Sequence, residues 1–143
     1  MTMNLSPDDK RELFGEFNPD QYEDEARQRW GDTDAYKESA RRTSSYTKDD
    51  WARIKSEAAE NTARFGDAFA SGEAADSVTA MDLAEAHRQH ISRWFYDCPL
   101  DMHRGLGDMY VADPRFTANY DTDRPGLAQY IRDAIHANAE RMS

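Results

Sequence analysis

Apolar positions recur along this chain at helical spacing, and cap signals divide it into segments. From Trp51 onward Ile54, Ala58, Phe65 and Phe69 fall on one stripe. Thr47 with Asp50 forms a capping box ahead of that stripe, with Asp in place of the usual Glu, and the segment runs to Gly72. Ser77 caps a second long segment to about Tyr96. It has Met81, Ala84, Arg88, Ile91 and Phe95 on one side, and His87, Ile91 and Trp94 on an adjacent stripe. Asp97-Cys98-Pro99 turns the chain into a helix from about Pro99 to Val111, which carries Met102, Leu106, Met109 and Tyr110. Asp113-Pro114 opens a short helix with Phe116, and Arg124-Pro125 opens the last one. Leu127, Tyr130, Ile131, Ala134, Ile135 and Asn138 line the face of that last helix. Upstream, Ser6-Pro7 opens a helix to Phe14, Asn18-Pro19 opens one to Trp30, and Asp32 or Thr33 caps one to about Tyr46. No stretch alternates apolar and polar residues for long enough to make a strand, so the predicted fold class is all-α.

The two ends differ. Residues 1–46 contain only Leu5 and Leu13 among Leu, Ile and Val, set among many acids and the aromatics Phe14, Phe17, Tyr22, Trp30, Tyr36 and Tyr46. A segment so poor in aliphatics struggles to offset its ordering entropy. Residues 1–46 are therefore expected to be marginal helices that order with help, and residues 47–143 to be the folded helical core.

Composition narrows the function classes. The chain has 143 residues, one domain's length, with 38% hydrophobic and 32% charged residues. Three Trp, seven Tyr and six Phe supply much of the surface it can bury. Its net charge of −10 repels phosphate backbones and anionic membranes. No apolar run approaches the roughly 18 residues needed to span a bilayer, and the first residues lack the basic and apolar regions of a signal peptide. One cysteine, Cys98, makes no internal disulfide, which fits a reducing, cytoplasmic setting.

Few residues suggest chemistry. His87 and His90 are three apart on a helix and could bind metal with Asp101 or His103 as a third ligand, but no paired-ligand motif surrounds them. A haem would need one of these histidines as its axial ligand. Cys98 lacks an evident activating base, and acid pairs are inevitable among 28 acidic residues. Gly105 and Gly107 each cost a helix roughly 1 kcal/mol relative to alanine. Either they permit close helix approach, or they open a floor for a bulky ligand. The expected class is a binding protein that is not an enzyme, with no cofactor and no metal. The alternatives are a metal- or haem-binding helical protein and a protein-interaction module.

The run His87-Arg88-Gln89-His90-Ile91, then Arg93-Trp94-Phe95-Tyr96-Asp97-Cys98, then Met102-His103-Arg104-Gly105-Leu106-Gly107-Asp108-Met109-Tyr110-Val111 strongly resembles the TipAS domain. That domain is the antibiotic-recognition half of TipA-type regulators in the MerR family. Asp113-Pro114-Arg115-Phe116-Thr117-Ala118-Asn119-Tyr120-Asp121 extends the likeness, as do Arg29 to Tyr36 and Tyr46 to Trp51. The resemblance implies a globin-like helical fold without haem, in which N-terminal helices act as a lid that orders over a cleft when ligand arrives. The implied ligands are large hydrophobic peptide antibiotics such as thiopeptides. DNA would be reached only through a DNA-binding domain absent from this chain, and the isolated domain would be a monomer without membrane contact. Transcription regulation, drug sequestration and multidrug resistance are the implied roles.

One departure matters. The family's founding sensor captures dehydroalanine-containing thiopeptides through the cysteine of a Met-His-x-Cys-Leu-Gly motif, and here that position is Gly105. Cys98 matches a second cysteine of that sensor which is not the attachment point. Noncovalent binding is therefore expected. The ligand-binding residues read from the sequence are Trp30 and Tyr36 on the lid, with Trp51, His90, Trp94, Arg104, Gly105, Tyr110 and Phe116 on the cleft wall. Trp51, Phe65 and Phe116 fit plain core equally well.

Overall fold

The structure, a computed structural model, describes Ser6, Asp8, Asp9, residues 31–122 and residues 124–143, with Asn119 described for its backbone alone. The described residues form six helices and no strand. These are α1 (Asp34–Thr43), α2 (Lys48–Ala70), α3 (Val78–Trp94), α4 (Leu100–Ala112), α5 (Pro114–Asp121) and α6 (Leu127–Arg141). None of them is long and apolar enough to cross a membrane. The helices expected over residues 7–14 and 19–30, and with them Trp30, lie outside the described residues.

Local cap chemistry sets most helix starts. Ser6 Oγ accepts from the Asp9 amide at 3.1 Å, as an N-cap does. Thr33 caps α1 by accepting from the Tyr36 amide at 3.2 Å. The Thr47–Asp50 box closes in both directions: the Asp50 amide donates to Thr47 Oγ1 at 3.2 Å, and the Thr47 amide donates to Asp50 Oδ2 at 3.0 Å. Ser77 Oγ accepts from the Ala80 amide at 3.1 Å. Asp113 caps α5 with Pro114 at its first position.

The last helix departs from expectation. It starts at Leu127, two residues after Pro125, because Gly126 takes φ +91° and keeps the preceding residues in a turn. Its cap comes from seven residues upstream, where Asp121 Oδ1 accepts from the Ala128 amide at 2.9 Å.

Contacts divide the chain into two compact units, Met1–Glu57 with Ile91–Asp97, and Ala58–His90 with Cys98–Ser143. The core of the first is aromatic. Trp51, Ile54 and Trp94 are buried with Tyr46 and Phe95 against them, and Tyr46 meets both tryptophans edge-on, at 5.9 and 5.6 Å between ring centroids. The Tyr46 hydroxyl donates to the Trp94 carbonyl, and Trp94 Nε1 donates to Glu57 at 2.8 Å. The second core joins Phe65 and Ala68 of α2, Ala80 and Ala84 of α3, and Leu127, Tyr130, Ile131, Ala134 and Ile135 of α6. The apolar face foreseen on α6 is buried throughout, including Asn138. Ala58, assigned to the α2 stripe, is exposed instead.

Candidate functional site

In the second unit, α4 has two faces of opposite character. Its inner face carries His103, which is 0% exposed, and Gly107. A Cβ on Gly107 would lie 3.4 Å from Ile135 Cδ1 and 3.5 Å from the Arg132 Cα, so this glycine lets α4 and α6 approach closely. Its outer face carries Met102, 38% exposed, and Gly105, around which a Cβ would meet nothing within 4 Å. The two glycines therefore divide the two readings between them: Gly107 is a packing seat, and Gly105 is open surface. Leu106 and Met109, half-buried, continue the apolar character beside Gly105. Arg104 lies 3.4 Å from Asp101 at the edge of this face.

The remaining residues read from the sequence fall into two groups. In the second unit Tyr110 and Phe116 meet at 6.4 Å between ring centroids, and His90 is half-buried on α3. In the first unit Tyr36 is half-buried on α1, while Trp51 and Trp94 belong to the aromatic core. Phe65 is core as well. Trp51 Nε1 is buried without a hydrogen-bond partner.

Sequence reasoning set His87 beside His90 as possible ligands. His87 pairs with His103 instead: Nδ1 lies 2.8 Å from His103 Nε2, and the rings stack at 5.1 Å. Among the described residues no three His, Cys, Asp or Glu side chains converge to hold a metal ion. Burial holds both imidazoles neutral, His87 at about 4 and His103 at about 3 against an ordinary 6.5, and each also feels a neighbouring histidine. No sequence signal pairs them, because sixteen residues separate them along the chain.

Cys98 is 2% exposed, and burial pushes its thiol up to about 11. Arg88 lies beside it, donating to the Cys98 carbonyl at 2.9 Å and pairing with Glu85 at 2.6 Å. A thiol so placed stays protonated at neutral pH and is a poor nucleophile.

The TipAS antibiotic-recognition domain family matches residues 22–138 of this chain. The HTH-type transcriptional activator TipA of Streptomyces coelicolor is 59% identical over 141 residues, 99% of this chain and 56% of that protein. The chain thus spans about half the length of the curated relatives it matches. Among solved structures, TipAS of Streptomyces lividans in complex with nosiheptide superposes with a TM-score of 0.91 at 58% identity, covering 99% of each chain. The antibiotic-binding domain of a TipA-class multidrug resistance transcriptional regulator gives a TM-score of 0.60 at 57% identity. It covers 65% of this chain and 99% of its own.

Proposed function

Because the chain belongs to the TipAS antibiotic-recognition domain family, we propose that it is the ligand-sensing part of a bacterial transcription regulator, and that it binds large hydrophobic peptide antibiotics of the thiopeptide kind without a covalent bond. It acts by binding and not by catalysis, in the cytoplasm, and serves gene control and drug sequestration in multidrug resistance. The observation that carries the ligand site is the outer face of α4. Met102, Leu106 and Met109 offer apolar surface there, and Gly105 leaves a flat floor that a rigid, greasy ring can lie on. Arg104 at the edge can donate to the carbonyls in which a peptide antibiotic is rich. Tyr110 and Phe116, in ring contact, extend the aromatic surface of the same unit.

The noncovalent mode rests on chemistry. The only cysteine in the sequence is Cys98, and its thiol is buried and held protonated. Position 105, open to a ligand, has no nucleophile.

Coupled ordering is the second part of the reading. Residues 1–46 are short of aliphatic surface, and we take their ordering to be linked to the ligand, with Trp30 and Tyr36 as the aromatic contributors. Ordering such a segment costs about 2–5 kcal/mol, while burying an aromatic side chain returns roughly 1.5–3 kcal/mol. Two of them return roughly 3–6 kcal/mol, the same scale as that cost.

Calorimetric titration with nosiheptide, followed by mass spectrometry of the product, tests the reading. Saturable binding with an unchanged protein mass is expected. No heat and no perturbation at micromolar ligand would overturn the ligand assignment, and an adduct on Cys98 would overturn the noncovalent mode.

A further inference from the structure

We propose that His87 is a positioning residue: it grips α4 at two points, His103 and Tyr110, and so fixes which face of that helix is presented to a ligand. The inference rests on the reading that the outer face of α4 is the binding face. His103 and Tyr110 stand seven residues apart, about two turns and roughly 10 Å along the helix axis. His87 reaches both from α3. Its Nδ1 lies 2.8 Å from His103 Nε2, and its Nε2 lies 3.4 Å from the Tyr110 hydroxyl. Its ring stacks on His103 with 25° between the planes and meets Tyr110 edge-on, at 6.0 Å and 84°. Tyr110 is braced in turn by Tyr120 of α5, at 5.3 Å between centroids.

Helix α4 has particular need of such a grip. At Gly107 it offers α6 no side chain, and Ile135 and the α6 backbone close over the gap, while beside it Asp108 accepts from Arg132 at 3.2 Å and lies 2.8 Å from His136 at the exposed edge of the seam. The apolar contacts beneath that edge are non-directional, and the polar ones are exposed to solvent, which weakens them. Hydrogen bonds are directional. Two of them, separated by two turns and converging on one ring, fix both the rotation and the axial setting of α4. A helix advances about 100° per residue. A turn of a fraction of that step would move Gly105 and Met102 away from their present aspect.

Donor and acceptor counting shows what the grip costs. A neutral imidazole has one donor and one acceptor nitrogen. If the Tyr110 hydroxyl donates to His87 Nε2, then His87 Nδ1–H donates to His103 Nε2 and the His103 proton sits on Nδ1. The reverse sense leaves His103 Nδ1 as a bare acceptor. Either way the chain of bonds ends at His103 Nδ1, which is buried and has no partner. Leaving a buried polar atom unpaired is costly, whereas an aliphatic residue at 103 would carry no such penalty.

The test uses the full chain with His87→Phe, which keeps a stacked ring and removes both polar contacts, and Tyr110→Phe, which removes one of them together with the Tyr110–Tyr120 hydrogen bond. Residual dipolar couplings of backbone amides report the orientation of α4 in the empty protein, and nosiheptide titration reports binding. Changed couplings confined to α4, with those of α6 retained, are expected in both variants. In His87→Phe nosiheptide affinity should fall about tenfold, the scale at which residues away from the ligand modulate binding. Unchanged α4 couplings in the folded variants would overturn the proposal, whatever happens to thermal stability. Should His87→Phe not fold, Tyr110→Phe alone decides. Should the unaltered chain fail to bind nosiheptide, the ligand reading has failed, and the couplings still decide the clamp.

Discussion

Acidification is the perturbation whose consequence follows most directly from the buried imidazoles. His103 is fully enclosed and His87 retains some exposure, so the pair takes up its first proton at His87. Burial lowers that site to about 4, against an ordinary 6.5 in the unfolded chain. Between those values the unfolded chain binds a proton that the folded one refuses. The stability contribution is therefore whole above pH 6.5 and is lost as pH falls toward 4. For His87 alone the loss is about 1.4 kcal/mol at pH 5.5 and about 2 kcal/mol at pH 5, and His103, lowered further in the folded chain, adds a loss of about the same size. The half-buried carboxylate of Glu85 shifts the other way, held at about 2 by its hydrogen bond to Arg88, and its contribution is lost only as pH falls below 4.5. The two windows meet only below pH 4.5, outside the range from pH 7 to 5. Urea unfolding at pH 7, 6, 5.5 and 5 measures the slope, and histidine ring NMR assigns it. A stability that stays flat from pH 7 to 5, or an NMR titration of His87 near 6.5, would refute the argument.

Gly105→Ala adds a Cβ in open space and removes a helix-interior glycine, so unfolding free energy should rise by about 0.8–1 kcal/mol while nosiheptide affinity falls as the floor is covered. Gly107→Leu should do the opposite to stability and lower it by 1–3 kcal/mol or so, as overpacking does, because Ile135 and the α6 backbone already fill the space; thermal unfolding measures both. Thr47→Ala removes one half of the capping box and should cost about 1 kcal/mol in chemical denaturation. Cys98 should resist alkylation by iodoacetamide at pH 8 in the folded chain and react quickly once unfolded, as read by mass spectrometry.

Residues whose partners lie within three positions were legible in the sequence. Thr47 with Asp50, Ser77 with Ala80 and Asp113 with Pro114 start helices where local hydrogen-bonding chemistry dictates. The stripe on α6 was legible because every member faces the same side. Features set by distant partners were not. The cap of α6 comes from Asp121, seven residues away, so its start was placed two residues early. His87 and His103 are sixteen residues apart and meet only because α3 and α4 pack together. Gly105 and Gly107 have the same propensity cost, and only the rotation of α4 against α6 decides which is seat and which is floor. Among the candidate site residues, Gly105 and Arg104 lie on the outer side of α4, whereas Trp51 and Trp94 occupy an aromatic core, an alternative left open for Trp51.

Amide hydrogen exchange of the full chain, with and without saturating nosiheptide, tests the account most directly. Slowed exchange across Met102–Tyr110 together with residues 1–46, and little change in α6, is the expected result. Equal protection of residues 1–46 in both states, or protection arising elsewhere while α4 is untouched, would contradict it.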